Sequence, residues 1–186
     1  TPLSLIKSAA ETLIDGAKDD PEVAPRFLEI IDKQSSRLKL LIDDLLLLAS
    51  LDSDRVELLL EPIDLRQAAQ EALDDAAGAA RRRGTALENT VPAALLARAD
   101  PGRLRQVLTN LVDNAIKYGR AEGRVTVRGR RVDAGWVEIS VHDDGPGIPA
   151  ESLPRVFERF YRVDKARSRE QGGTGLGLAI VKNVVQ

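Results

Sequence analysis

One predicted helix in the second half of the sequence carries polar side chains that could hold a charged ligand. Asn110 and Asn114 are four residues apart and Lys117 follows three residues later, so the three side chains share one helix face. Two amides and an ammonium on one face are suited to a cation and phosphate oxygens. The alternative is an ordinary solvated face, but Leu111 and Val112 between the asparagines leave little exposed surface there.

The stretch VHDDGPGIP contains His142, the only histidine in the chain. Side chains alternate along the preceding predicted strand, so Asp143 continues the apolar row that starts at Val137, and His142 points the other way. A carboxylate at the end of a buried row needs a partner, and a ligand amino group would supply one. Gly145 and Gly147 would let the backbone approach that ligand. An Asp-Gly turn without any ligand is the common alternative.

A third stretch, GGTGLGLAIVK, places four glycines where a predicted loop enters an apolar helix. These are Gly172, Gly173, Gly175 and Gly177. Free backbone amides at a helix start form an anion site. Glycines that mark flexibility alone would give the same pattern.

Composition excludes several other kinds of site. The chain has no cysteine and one histidine, so it has no disulfide, no thiolate metal site and no cysteine nucleophile, and we expect no zinc site. A net charge of −2 gives no basic footprint for nucleic acid. The apolar run LLIDDLLLLASL is interrupted by Asp43 and Asp44 and is too short to span a bilayer. Because the chain opens on Thr1 and has no methionine, we interpret it as part of a longer protein.

Residues 1–53 are predicted to form a helical hairpin. A first helix has an apolar stripe, the segment KDDPEVAP predicts a turn, and a second helix runs from about Arg26 to Leu51. The stripe consists of Leu3, Ile6, Ala10, Leu13 and Ile14. The second helix has a heptad row of Phe27, Ile31, Gln34, Leu38, Leu41, Leu45 and Leu48. A lone hairpin cannot bury both rows, so we expect a homodimer through residues 3–51 that forms a four-helix bundle. The alternative is that the rows pack on the second region of the same chain.

Residues 54–186 are predicted to form an α/β sandwich, in which helices cover one mixed sheet. The helices are predicted at LRQAAQEALDDAAGAARR, after an Asp64 cap, and at PGRLRQVLTNLVDNAIKY, ESLPRVFERFY and GLGLAIVKNVV. The strands are predicted at VELLLEPIDL, TALENTVP, ALLARAD, RVTVRGRRV and WVEISVHD, and the last two form a hairpin. Residues 162–174 have no periodicity and are expected to form a loop.

In this order, the three polar stretches resemble the ATP-binding domain of sensor histidine kinases, within the gyrase, Hsp90 and MutL (GHKL or Bergerat-fold) superfamily. LTNLVDNAIKYG is similar to the asparagine box of that family, and DDGPGIP and GGTGLGLAIV are similar to its two glycine boxes. FERFY is similar to its phenylalanine box. The opening TPLSLIKSAAETL resembles the end of the phosphoacceptor box, and the hairpin resembles the dimerisation and histidine-phosphotransfer domain. Within the family, phosphate-regulon sensor kinases are the most similar subgroup.

The resemblance implies ATP or ADP with Mg²⁺ as ligands. Asp143 would accept a hydrogen bond from the adenine amino group. Asn110 and Asn114 would hold Mg²⁺ and the phosphates, Lys117 would contact phosphate, and Tyr118 would line the pocket. The adenine side would be shaped by Gly145 and Gly147, and the phosphate side by Gly173, Gly175 and Gly177.

The same resemblance implies a protein-histidine kinase that passes phosphate to an aspartate on a response-regulator receiver domain. Arg162 would reach the γ-phosphate from the lid, and Thr1 would place water when the kinase dephosphorylates its partner. The phosphoacceptor histidine is expected a few residues before Thr1, outside this sequence, and the final strands of the family are expected after the last helix. We expect the parent to be a bacterial sensor anchored in the inner membrane, with this part in the cytoplasm. The alternatives are a catalytically silent dimeric scaffold and an ATPase or serine kinase of the same superfamily.

Overall fold

A helical region precedes a mixed α/β region in the computed structural model of the chain. The structure describes residues 1–52, 58–133, 135–163 and 173–185. It divides into two units, Thr1–Ala49 and Ser50–Gln186. This division falls a few residues before the predicted boundary at 53/54.

Two helices dominate the first unit. Helix α1 spans Pro2–Ile14, a 3₁₀ turn spans Ala17–Asp19, and α2 spans Ala24–Asp52. Thr1 caps α1, because its hydroxyl oxygen accepts a hydrogen bond from the Ser4 amide at 3.2 Å. Among the described residues, no helix is both long and apolar enough to cross a membrane.

The heptad row of α2 is partly buried within the single chain. We had expected a second copy of the chain to bury it. Most of the row is half-buried and Leu48 is only 1% exposed, whereas Leu45 remains 43% exposed. The most exposed apolar side chains on this side of α2 lie beside the row, at Leu28, Ile42 and Leu46. The apolar surface that stays exposed on this helix therefore includes Leu45 of the predicted row and the side chains beside it.

Within its described residues, the second unit contains two small sheets, two long α-helices and one shorter α-helix. Its elements in chain order are β1 (Glu61–Asp64), α3 (Leu65–Arg83), β2 (Ala86–Asn89), β3 (Leu96–Ala99), α4 (Pro101–Tyr118), β4 (Arg124–Arg131), β5 (Val137–Asp143) and α5 (Gly177–Val185). Strand β4 pairs in parallel with β2 and antiparallel with β5, so the predicted mixed sheet is confirmed. Strands β1 and β3 do not join this sheet and form a separate antiparallel pair.

Acidic residues begin the two long helices of this unit. The Asp64 carboxylate accepts hydrogen bonds from the Arg66 and Gln67 amides, which confirms the predicted cap of α3. Asp100 caps α4 by accepting from the Arg103 amide at 3.0 Å. These side chains satisfy amides that have no partner inside the helix.

The core lies between the mixed sheet and helices α3 and α4. Its fully buried members include Ala69 on α3, Val112 on α4 and Val127 on β4. Val137, Ile139 and Val141 of β5 pack against this core, as the alternation in the sequence predicts.

Residues 151–161, predicted as a short helix, form successive tight turns instead. Only Leu153–Arg155 is helical, as a 3₁₀ turn, and the hydrogen bonds that follow span three residues, as from the Tyr161 amide to the Glu158 carbonyl. Pro154 has no amide hydrogen to donate, and Phe160 adopts a positive φ of 63°, which no α-helix continues through. The predicted loop 162–174 lies largely outside the described residues.

Candidate nucleotide-binding site

A cavity of about 400 Å³ lies among α4, the end of β5 and the segment that leads into α5. Ten residues singled out from the sequence line it: Asn110, Asn114, Lys117, Tyr118, Asp143, Gly147, Arg162, Gly173, Gly175 and Gly177. Two others do not line it. Gly145 lies behind the wall of the cavity, and Thr1 belongs to the first unit.

Helix α4 supplies one polar wall of the cavity. Asn110, Asn114 and Lys117 face the cavity because the opposite side of α4, with Leu108 and Val112, is fully buried. The asparagine carboxamides offer neutral oxygen atoms as ligands, and the Lys117 ammonium adds positive charge nearby.

Asp113 is a cavity-lining residue that the sequence argument did not single out. Its Oδ2 atom lies 3.5 Å from Lys117 Nζ. Their side chains are 44% and 35% exposed, so solvent screens the pair and the contact holds Lys117 only weakly. The spacing of four residues between an acid and a lysine was the available signal.

Asp143 differs from the expectation in its burial. It is exposed at the cavity rather than closing a buried row, because it is the last residue of β5. Its Oδ1 atom accepts a hydrogen bond from the Gly145 amide at 2.8 Å. No hydrogen bond from the described part of the chain reaches Oδ2, which leaves this oxygen able to accept one from a ligand.

Gly145 occupies a position where no side chain fits. A Cβ built there lies 2.6 Å from Asp143 Oδ1 and 3.0 Å from both Gly119 Cα and the Tyr118 carbonyl oxygen. Gly147, with a φ of 75°, turns the chain in a conformation that favours glycine. Gly145 therefore lets the end of α4 and the end of β5 meet directly.

The glycine-rich segment closes the opposite side of the cavity. A Cβ built at Gly177 lies 2.8 Å from Asn110 Oδ1, and one at Gly173 lies 3.1 Å from Tyr118 Oη. Gly175, with a φ of 76°, packs on Phe160, whose amide donates to the Gly175 carbonyl at 2.8 Å. Arg162 donates to the Gly173 carbonyl oxygen. These contacts bring the start of α5 against α4, as the proposed anion site requires.

Tyr161 is a second cavity-lining residue whose role was not visible in the sequence. Its hydroxyl donates to Ser152 Oγ at 3.0 Å, and Ser152 is buried. The Arg155 guanidinium lies 4.4 Å from the ring centroid of Tyr161. A hydrogen bond to Glu158 raises the pKa of Arg155 and holds its guanidinium beside the ring.

His142 lies on the other face of the mixed sheet. In the register of β4 and β5, His142 is paired with Thr126, whereas Asp143 is paired with Val125, which points to the core. Its ring nitrogen Nε2 lies 3.1 Å from Ser140 Oγ, and it does not line the cavity. The prediction that His142 points away from Asp143 is confirmed.

Two family models match the chain. Residues 1–54 match the His Kinase A (phospho-acceptor) domain, and residues 99–186 match the histidine kinase-, DNA gyrase B-, and HSP90-like ATPase domain. The solved mycobacterial sensor histidine kinase MprB is 38% identical, with a TM-score of 0.58 over 68% of this chain and 78% of that chain. The chain belongs to the sensor histidine kinase family. The ATPase match covers the residues that line the cavity and supports ATP as the nucleotide of the second unit.

Two other relatives are similar to this chain and differ in how much of their own length it covers. Sensor histidine kinase WalK of Bacillus subtilis is 38% identical over 190 residues, which cover 100% of this chain and 31% of WalK. The chain thus spans about a third of the length of the curated relatives it matches. Histidine kinase ThkA, solved in complex with response regulator protein TrrA, is 25% identical with a TM-score of 0.69, over 87% of this chain and 47% of that chain. The predicted phosphate-regulon subgroup is not confirmed by these relatives.

Proposed function

We propose that this kinase core binds Mg²⁺–ATP in the cavity along α4 and transfers the γ-phosphoryl group to a histidine upstream of Thr1 in the parent protein. The phosphoryl group then passes to an aspartate on a response-regulator receiver domain. The observation that carries this proposal is the convergence of Asn110, Asn114 and the glycine-rich start of α5 on one cavity.

The residues of the cavity fit the parts of the nucleotide. Asp143 Oδ2 accepts a hydrogen bond from the adenine amino group, while Oδ1 keeps its bond to the Gly145 amide. The Asn110 and Asn114 amide oxygens suit Mg²⁺, which prefers oxygen ligands and retains several waters. Bound Mg²⁺ would neutralise charge on the phosphates during transfer. Among the described residues, no cluster of three acidic, histidine or cysteine side chains offers a different metal site.

Two cations would act on the phosphates. Lys117 is held near the cavity by its weak pair with Asp113 and remains able to contact a phosphate oxygen. Arg162 lines the cavity and donates to the Gly173 carbonyl, which supports a role for its guanidinium on the phosphate side. Positioning and charge neutralisation supply most of what phosphoryl transfer requires.

Family membership supports a proposal for two partners. We propose that residues 3–51 form a homodimeric four-helix bundle and that a response-regulator receiver domain docks on it, as the ThkA–TrrA complex suggests. Thr1 would place water when the kinase dephosphorylates its partner, so that the phosphoryl group leaves the aspartate as inorganic phosphate. In this chain its Oγ1 atom lies 2.6 Å from Ser4 Oγ and caps α1. We further propose that the parent is a membrane-anchored sensor with this core on the cytoplasmic side.

Calorimetric titration tests the nucleotide part of this proposal. The chain should bind ATP with Mg²⁺ present and bind it much more weakly after Mg²⁺ is chelated. Asn114→Ala should weaken binding about tenfold or more, since it removes a ligand of a charged group. Gln106→Ala, on the same helix but outside the cavity lining, is the matched control and should bind as the unchanged chain does. Equal affinities with and without Mg²⁺, or in the Asn114 and Gln106 variants, would contradict the proposal.

A longer form of the protein tests the transfer step. When the residues upstream of Thr1 are present, labelled ATP should give an acid-labile label on a histidine in that segment. Label on a serine or threonine instead would contradict histidine kinase activity.

A further inference from the structure

Arg83 is the last residue of α3, and its guanidinium reaches the end of α4. Nη1 donates to the Lys117 carbonyl oxygen at 2.7 Å, and Nη2 donates to the Gly119 carbonyl oxygen at 3.1 Å. The Arg83 carbonyl in turn accepts from the Glu122 amide at 3.0 Å. Arg83 is therefore tied through both its backbone and its side chain to the segment that follows α4.

The end of α4 suits a guanidinium in particular. The last carbonyls of a helix have no donor within the helix and form the negative end of its dipole. A planar guanidinium can bridge two carbonyl oxygens at once, whereas the single ammonium of a lysine cannot reproduce that fork. The charge and the geometry of Arg83 both match the Lys117 and Gly119 carbonyls.

The backbone at Gly119, just after α4, lies beside Asp143 and Gly145 on the adenine side of the proposed site. Lys117 and Tyr118 line the cavity, and Gly119 is buried behind it. A Cβ built at Gly119 lies 3.8 Å from Asp143 Cβ, and one built at Gly145 lies 3.0 Å from Gly119 Cα. With no side chain between these backbones, a displacement of Gly119 passes directly to Asp143 and Gly145.

We propose that Arg83 is a positioning residue for adenine binding, a role that rests on the proposed function of the cavity. It does not line the cavity itself. By holding the Lys117 and Gly119 carbonyls, it fixes the distance between the end of α4 and the Asp143 carboxylate. The adenine amino group then meets Asp143 without any rearrangement of the segment.

Nucleotide titrations of four forms of the full chain test this role. The forms are the unchanged chain, Arg83→Met, Arg83→Lys and Arg82→Met. Arg82 is the matched control because it is the neighbouring residue, is exposed, and its side chain makes no hydrogen bond within the described residues. For each form, the dissociation constants of Mg²⁺–ATP and Mg²⁺–GTP and the melting temperature are measured.

Arg83→Met should weaken ATP binding about tenfold, the scale expected when charged hydrogen bonds that order a site are lost. The affinity for GTP should change less, because GTP binding does not depend on a contact with Asp143. The preference for ATP over GTP should therefore fall. The ATP affinity of Arg83→Lys should lie between those of Arg83→Met and the unchanged chain, and the ATP affinity of Arg82→Met should equal that of the unchanged chain.

A purely structural role for Arg83 predicts a different result. The melting temperature would fall, while the ATP affinity and the ATP-to-GTP ratio of the folded protein would match those of Arg82→Met, and this outcome would overturn the proposal. If Arg83→Met does not fold at the assay temperature, the ratio measured for Arg83→Lys decides in the same way. Failure of the unchanged chain to bind ATP would overturn the function of the cavity and this role together.

Discussion

Gly177 and Asn110 approach so closely that a Cβ on Gly177 would lie 2.8 Å from Asn110 Oδ1 and 3.3 Å from Asn110 Cγ. Gly177 is the first residue of α5, where backbone amides have no partner within the helix. The contact therefore places these amides beside the carboxamide that we propose as a Mg²⁺ and phosphate ligand. The contact joins the segment similar to the asparagine box and the segment similar to the second glycine box, which are far apart along the chain.

Gly177→Ala should weaken Mg²⁺–ATP binding about tenfold, because the added methyl group forces the Asn110 amide to turn away from its ligand. The fold should be preserved, since Gly177 does not have a positive φ and alanine favours helix. Calorimetry and thermal melting measure the two effects. Gly78→Ala is the control, because a Cβ at exposed Gly78 meets only Arg82 Nη1 at 3.7 Å. Equal ATP affinity in the two variants would show that the contact has no part in binding.

Asp143→Asn should change the base preference of the site. The carboxamide introduced by this substitution could keep accepting from the Gly145 amide through its oxygen while its nitrogen donates to a carbonyl. Adenine would lose its acceptor, at a cost of ~1–3 kcal/mol, and guanine would gain a donor for its carbonyl group. Competition titrations with ATP and GTP should show the preference for ATP fall or reverse. An unchanged preference would place adenine elsewhere in the cavity.

The periodicity of the sequence predicts the local parts of this site. The spacing of Asn110, Asn114 and Lys117 defines a face of α4, and the alternation in β5 separates Asp143 from His142. Both features depend on the geometry of a single element. The reach of Arg83 to the Lys117 carbonyl depends instead on how α3 and α4 pack, which no local pattern encodes.

Two predictions from the sequence were wrong because they concern features that tertiary structure decides. Apolar residues between Leu153 and Phe160 have a spacing that a helix would also show, but the positive φ of Phe160 is set by its contact with Gly175, on a segment distant in sequence. Asp143 was expected to be buried because its row is apolar, yet its place at the end of β5 exposes it. Tertiary contacts and strand ends override a local pattern in both cases.

Ile42 and Leu46 should lie in the dimer interface. They are one helical turn apart on α2 and are 48% and 65% exposed in the single chain. Replacing both with glutamate should give monomers, since unpaired charges in an apolar interface are costly. Leu40→Glu is the control, because exposed Leu40 projects from the opposite side of α2. Light scattering that finds the unchanged chain monomeric at micromolar concentration would contradict the proposed dimer.

Asp100 should make the stability of α4 depend on acid pH. Its hydrogen bond from the Arg103 amide lowers its pKa below the ordinary value of 3.8. A lowered pKa in the folded state means that the charged cap stabilises the fold above pH 3.8 and loses this effect as the pH falls through the folded pKa. Asp100→Asn, which keeps an acceptor but no charge, should melt slightly lower at neutral pH. The difference from the unchanged chain should shrink below pH 3.8, and a constant difference would exclude the charge as its cause.

His142 should not receive phosphate, although it is the only histidine in the chain. It is paired with Thr126 of β4 in the strand register, and its side chain contacts Ser140, on the face opposite the cavity. A phosphoryl group held near Asn114 and Arg162 would have to cross the mixed sheet to reach it. The chain incubated with Mg²⁺ and labelled ATP should therefore gain no phosphohistidine. In a longer form that includes the residues upstream of Thr1, His142→Ala should leave labelling nearly unchanged. Acid-labile phosphate mapped to His142 by mass spectrometry would show that the γ-phosphate reaches the other face of the sheet, and would overturn the proposed orientation of the nucleotide.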